Sequence, residues 1–437
     1  MAQQMRYLKA SLETTDGGYE DIRQQPKIYA KNSLDRFGDD LCALIVSYLT
    51  FEDRFRYECV SKQFRRTVFG SVVDITFIDR YIHRVLNEKT IDRQMLATIA
   101  IKCTNIQIID FREMYLYESR VPEVLAIFRD NCRHLREIYC NVIYNKIEWF
   151  HGLGSLVTRI GRVAYTPSDT FRYCNRLSEL VAKYLPQMFP DSDRNPVHTL
   201  KRLSLEYYGR VEDNQLLAAI VANNQSLASL TVTKVMAITV EFITEFTDLL
   251  SRLPQLRQLS LNLHVTGIPY SVDEFLRTIA ANCKQLKRLS FGTVTHSCVL
   301  TLDSLLYFSQ LKRLDLTLNL LIGDYRDIES QFMDPLTLCH GLTHLTLNVW
   351  NMNTKFITYC GNRWPRLQYL AICDKYYIID NVCLDHISRL PALQTLVFEC
   401  NIGFGVNDHD FEDLLSRSPK LKNIETKGNN ISKCYLK

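Results

Sequence analysis

The sequence predicts an α/β protein: a long curved stack of strand–helix units with parallel strands inside and helices outside, preceded by one small helical block. Two observations predict it. A six-residue phrase of the form LxxLxL returns nine times at nearly even intervals between Leu200 and Leu421. A compact stretch near the N-terminus, "DDLCALIVSYLTFEDRFRYECVSKQFRR" at residues 39–66, shares none of that rhythm.

Residues 1–32 carry mixed polarity, a "DGG" step and no sustained period, so they are expected to form a disordered segment. The next block, 33–74, reads as three short helices. Leu41, Leu44, Ile45, Tyr48 and Leu49 make a helical stripe. Thr50 with Asp53 has the spacing of a cap that opens a second helix carrying Phe55 and Cys59. Ser61 can cap a third, carrying Phe64 and Val68. So small a unit buries little surface and calls for a partner, in the same chain or another.

The rest, 75–437, is the expected array, ending in a C-terminal cap. Its first anchors are Leu200, Leu227, Leu256, Leu286, Leu311, Leu342, Leu367, Leu393 and Leu421, at gaps of 27, 29, 30, 25, 31, 25, 26 and 28 residues. Weaker copies lie upstream: "CTNIQIIDF", "CRHLREIYC", "VTRIGRVAY" and "CNRLSELVA". The last two begin only 17 residues apart, at Val157 and Cys174, so one is either shortened or no repeat at all. Alternation within LxL puts two anchors on one face of a strand. Between strands, apolar spacings such as Phe242, Phe246, Leu249, Leu250 and Leu253, or Phe275 and Ile279, give helical stripes. Each unit can bury its anchors only against the next, so the array stacks.

Cys103, Cys132, Cys174, Cys283 and Cys339 each stand three residues before a first anchor, where other repeats place Val197, Leu253, Phe308, Trp364 and Leu390. A small apolar side chain at a buried site explains them better than metal or redox chemistry.

The CxxLxxLxL form resembles leucine-rich repeats of the cysteine-containing type, over roughly residues 100–430. It departs from them after the last anchor, where the family's Asn or Cys is kept at Asn319, Asn401 and Asn429 but is Tyr208, Val235, His264 or Trp350 elsewhere; an irregular turn is expected. The block before it resembles an F-box, the module that attaches substrate receptors to the adaptor of Skp–cullin–F-box ubiquitin ligases. Leu41, Ile45, Leu49, Asp53, Val60, Ser61, Lys62, Phe64 and Arg65 fall on that family's pattern, with Phe37-Gly38 where the family has Leu-Pro and Phe64 where it has Trp. The resemblance implies that Phe37, Leu41, Ile45, Leu49, Val60 and Phe64 contact a Skp-type adaptor, that a cullin scaffold joins the assembly, and that the repeats hold a protein substrate. The bland reading is that these apolar residues only fill a helical cap over the first repeat.

On the inner face, the column before the second anchor reads Arg202, Ser229, Gln258, Arg288, Arg313, His344, Tyr369 and Thr395. Arg288, Arg313 and His344 can receive an acidic or phosphorylated segment, or can be simple surface charge. Tyr207, Tyr208, Trp350, Tyr376 and Tyr377 follow the strands on one rim; with Tyr369 they are the aromatic candidates for target binding, or else ordinary packing.

Other chemistry finds no footing. A net charge of +4 over 437 residues does not drive binding to nucleic acid or membrane. No run is long and apolar enough for a membrane span, and "MAQQMRYLKASLETTDGG" lacks a signal core, so an intracellular protein, cytoplasmic or nuclear, is expected. "GLGS" at Gly152 lacks the lysine of a phosphate loop, no HExxH occurs, and His340 and His344 straddle a strand. The expected function is a non-catalytic substrate receptor without metal or cofactor; the alternative is a leucine-rich-repeat scaffold with no ligase link.

Overall fold

In the computed structural model the described residues are 38–87, 90–142, 148–163, 170–183, 197–208, 211–235, 240–265, 272–295, 302–320, 335–336, 338–349, 357, 360–402, 406–428 and 431–436. The chain divides into two units, between Val72 and Val73.

The first unit holds α1 (Asp39–Ser47), α2 (Phe51–Arg56) and α3 (Lys62–Gly70). Local chemistry sets each boundary. Thr50 Oγ1 accepts from the Asp53 backbone N–H at 3.1 Å, and Ser61 Oγ accepts from Phe64 N–H at 3.0 Å, so both inner helices have the hydroxyl caps their sequence provides. Asp39 stands in the first turn of α1, where a negative charge faces the positive end of the helix dipole. Its carboxylate accepts from Gln63 at 2.7 Å and approaches Arg66 at 3.4 Å, fastening α1 to α3. The Gln63 hydrogen bond comes first among the causes that hold this carboxyl below its usual pKa.

The second unit is built on one sheet. Its strands run in the order β1 (Asp74–Ile78), β4 (Ile108–Glu113), β5 (Glu137–Val142), β6 (Val157–Val163), β7 (Glu179–Ala182), β8 (Arg202–Glu206), β9 (Ser229–Val235), β10 (Gln258–Val265), β11 (Arg288–Thr295), β12 (Arg313–Leu320), β13 (His344–Val349), β14 (Tyr369–Ile379), β15 (Thr395–Ile402), β16 (Asn423–Gly428) and β17 (Ile431–Leu436). All pair in parallel with their neighbours except β17, which turns back antiparallel along β16. A separate two-residue hairpin pairs β2 (Leu86–Asn87) with β3 (Thr90–Ile91). Strands in strict chain order with crossovers on one side are what stacked strand–helix units produce.

The register lines up every anchor. Leu180, Leu203, Leu230, Leu259, Leu289, Leu314, Leu345, Leu370, Leu396 and Ile424 occupy one ladder. Each is at most 2% exposed. The connecting helices bury their stripes against the same core: Phe275, Leu276, Ile279 and Ala280 in Val272–Asn282, and Phe411, Leu414 and Leu415 in Asp408–Arg417. The closely spaced phrases at Val157 and Cys174 lead into two adjacent parallel strands, β6 and β7.

The position three residues before each first anchor does more than fill space. Cys132 Sγ donates to Ala100 O at 3.7 Å, Cys283 Sγ to Leu250 O at 3.9 Å, and Trp364 Nε1 to Leu336 O at 3.0 Å. Each bond reaches the carbonyl of the preceding repeat. Asn224 holds the same place and makes the fullest set: its amide donates to Val197 O and Ile220 O at 2.9 and 2.8 Å and accepts from Leu200 N–H at 2.8 Å, at 0% exposure. Buried carbonyls left over between repeats must be satisfied, and these side chains reach them.

Candidate functional site

Two surfaces stand out, one on each unit. On the first unit, α1 turns its smaller apolar groups inward. Cys42 and Val46 are at most 1% exposed. The stripe at i, i+3, i+4 and i+7 faces out instead: Leu41 is 40% exposed, Leu44 53%, Ile45 36% and Tyr48 79%. Tyr57 and Val60, after α2, are exposed as well. A contiguous apolar face left in water costs free energy and marks an interface. Of the residues expected to touch an adaptor, Leu41, Ile45 and Val60 are exposed and Leu49 is half-buried. Phe64 is a correction: at 3% exposure it lies in the core with Val68, so it supports the helices from inside. Phe37 lies outside the described residues. Leu44 and Tyr48, on the stripe but outside the expected adaptor contacts, are its most exposed members.

On the second unit, one polar row crosses every parallel strand. It runs Thr76, Asp110, Tyr139, Arg159, Glu179, Arg202, Ser229, Gln258, Arg288, Arg313, His344, Tyr369, Thr395, Asn423. The structure thus brings the candidates Arg288, Arg313, His344 and Tyr369 side by side. Sequence spacing missed Asp110, Tyr139, Arg159 and Glu179, because the register shifts twice between β5 and β6 and once between β6 and β7. Trp350 lies outside the described residues, as does the side chain of Tyr376, whose backbone is in β14. Tyr207 belongs to the core, not the rim: it is 1% exposed, its hydroxyl meets Asn214, and burial raises its pKa.

The two ends of this row differ in electrostatics. Over β4–β8 the charges answer one another. Arg112 grips Asp110 through bonds of 3.0 and 2.8 Å, and Arg159 and Arg202 both reach Glu179 at 3.8 Å. The guanidinium carbons of Arg112 and Arg159 lie 5.1 and 4.5 Å from the Tyr139 ring centroid. The Tyr139 hydroxyl donates to Glu137 at 3.0 Å. Over β11–β14, Arg313 meets Asp315 at 2.9 Å, and the His344 and Tyr369 rings stack at 5.8 Å. The Thr343 hydroxyl gives its proton to Lys312 O at 3.0 Å, so it accepts from His344 Nδ1 at 2.9 Å. Among the described residues, Nε2 of His344 has no hydrogen-bond partner. Burial first, then Arg313 and Arg288, hold the His344 pKa below its ordinary value, against a smaller opposing pull from Asp315.

The thiols whose shifts are resolved are held protonated. Burial pushes the thiols of Cys132 and Cys283 up to about 11 and that of Cys174 to about 12. Among the described residues no group of three or more His, Cys, Asp or Glu could hold a metal ion. No described helix is long and apolar enough to cross a membrane.

No protein-family profile matches the chain. No curated protein matches it either. Among solved structures, a crystal structure of the Rad7 and Elc1 complex in yeast is similar to 88% of this chain and 92% of that one, at 14% identity and a TM-score of 0.44. The repeat architecture described above rests on the chain's own strand register.

Proposed function

We propose that this protein is a non-catalytic substrate receptor of a Skp–cullin–F-box ubiquitin ligase, working in the cytoplasm or nucleus. The three-helix unit docks on a Skp-type adaptor, which links it to a cullin scaffold. The repeat unit holds a protein target on its polar row. Ubiquitin transfer belongs to the partner subunits; this chain contributes proximity, raising the effective concentration of target lysines near the activated thioester.

The single observation that carries this reading is the outward stripe of α1. The motif that resembles an F-box places Leu41 and Ile45 where an adaptor contact is needed, and both are exposed beside Leu44 and Tyr48. A helical cap whose apolar residues served only its own core would have them covered.

Co-expression of the full chain with a Skp-type adaptor tests it. The wild type is expected to co-purify; the double variant Leu41→Asp, Ile45→Asp is expected to lose the adaptor at an unchanged circular-dichroism spectrum, since neither side chain is buried. Failure of the wild type to bind, or binding that survives the double change, leaves the non-ligase scaffold as the better reading.

A further inference from the structure

The polar row changes character between β9 and β13, and a second row strengthens the change. The residues just before the strands are joined from repeat to repeat by backbone bonds: Arg257 N–H to Ala228 O at 2.9 Å, Lys287 N–H to Arg257 O at 2.9 Å, Lys312 N–H to Lys287 O at 2.9 Å. Three consecutive repeats therefore set Arg257, Lys287 and Lys312 directly beside the row of Gln258, Arg288 and Arg313. In each phrase the flanking leucines are buried, so both intervening residues point away from the core. The local sequence "LKRL" at Leu286 and Leu311 doubles the charge on two adjacent repeats; the same phrase at Leu200 supplies Lys201 and Arg202, but there Arg202 reaches Glu179.

Among the described residues, ion pairing to these five cations comes from one carboxylate, Asp315, which is engaged with Arg313. Among the described residues, Arg257, Lys287, Arg288 and Lys312 form no ion pair. By contrast, over β4–β8 Arg112 is paired with Asp110, and Arg159 and Arg202 both with Glu179, while Glu137 accepts from the Tyr139 and Thr158 hydroxyls. Uncompensated positive charge held on the face of a rigid sheet repels itself and gains from an anion. The floor of the patch is small and polar: Ser290, Gly292 and Thr317 follow on the same face.

We propose that this basic patch on β10–β13 receives an acidic, extended segment of the target protein, with Arg288 and Arg313 as its central contacts and His344 Nε2 at its edge. The proposal deepens the receptor reading, since it names the chemistry of what the repeats hold. Geometry favours a peptide over nucleic acid. Neighbouring strands lie about 4.8 Å apart, so the patch spans only about 15 Å. An extended chain covers that in about five residues, at roughly 3.3 Å each, and two or three carboxylates suffice to match the guanidinium forks. A nucleic acid needs a track that continues, and here carboxylates stand on the same face at both ends, Glu206 on β8 and Glu399 on β15.

The test uses the full chain and three fluorescent probes read by anisotropy: a Glu-rich dodecapeptide, the same peptide with Gln for Glu, and a single-stranded oligonucleotide of equal charge. The Glu-rich peptide is expected to bind with an affinity that falls as salt rises, and the Gln peptide at least tenfold more weakly. Arg288→Glu with Arg313→Glu is expected to cost at least tenfold, Arg288→Gln with Arg313→Gln a smaller loss in the same direction, and Arg202→Glu less than twofold. Equal binding of the Glu and Gln peptides, indifference to the Arg288 and Arg313 changes, or tighter binding of the oligonucleotide each overturns the proposal. Adaptor co-purification of the charge-reversed variant reads the receptor proposal separately: the acidic-segment idea can fail while the adaptor is retained, and the reverse.

Discussion

Helix α1 and the repeat helix Val272–Asn282 carry the same kind of apolar pattern and put it to opposite use. In the repeat helix, Phe275, Leu276, Ile279 and Ala280 are all covered by the neighbouring unit. In α1, Leu41, Leu44, Ile45 and Tyr48 face water, while the inward contact falls to Cys42 and Val46. An i, i+3, i+4, i+7 stripe says that a helix has an apolar face; it does not say what covers that face. In an array, the next repeat does so by construction. In the block of three short helices these large apolar groups stay exposed.

Truncations separate the two uses. Leu289→Ala, at a site 0% exposed in the anchor ladder, is expected to cost about 2–5 kcal/mol by urea unfolding, whereas Leu44→Ala on α1 should change stability by no more than about 0.5 kcal/mol. A large loss at Leu44 would mean that α1 is part of a core after all. The next effect concerns the joints between repeats. Asn224→Ala removes the amide that satisfies Val197 O, Ile220 O and Leu200 N–H, and about 1–3 kcal/mol is expected for a buried group left unpaired. The same measurement on Asn223→Ala, whose side chain bonds within its own helix at the exposed surface, should show a much smaller change.

The smallest effect is electrostatic. His344 should titrate below the ordinary histidine range in an NMR titration, because its neutral form is favoured by burial and by Arg313 and Arg288, with Asp315 pulling the other way. Replacing Arg288 and Arg313 by Gln is expected to move that pKa upward. An anionic ligand on the patch should do the same, so its affinity should rise as pH falls from 7.5 toward 6, with Asp and Glu side chains of the ligand still ionised. A histidine that does not respond to either change would place the arginines too far away to matter.

Leucine spacing was enough to align the residue before the second anchor from Arg202 to Thr395, because LxxLxL repeats the same strand phrase in each unit; it did not announce the antiparallel β17 or the register shifts late in β10 and β14. The hydroxyl caps at Thr50 and Ser61 were equally legible, since capping is a contact between residues three apart. Other features needed the folded chain. The weaker strands β4–β7 slip in register, so Asp110, Tyr139, Arg159 and Glu179 join the polar row at spacings that no repeat phrase announces. No repeat phrase singles out Asn224, whose amide is closed in by three backbone groups from two repeats. Phe64 and Tyr207 fit a surface motif on paper and are buried in fact. Spacing along a chain reports which side chains share a face; burial and charge balance depend on what lies across from that face, and only folding decides that.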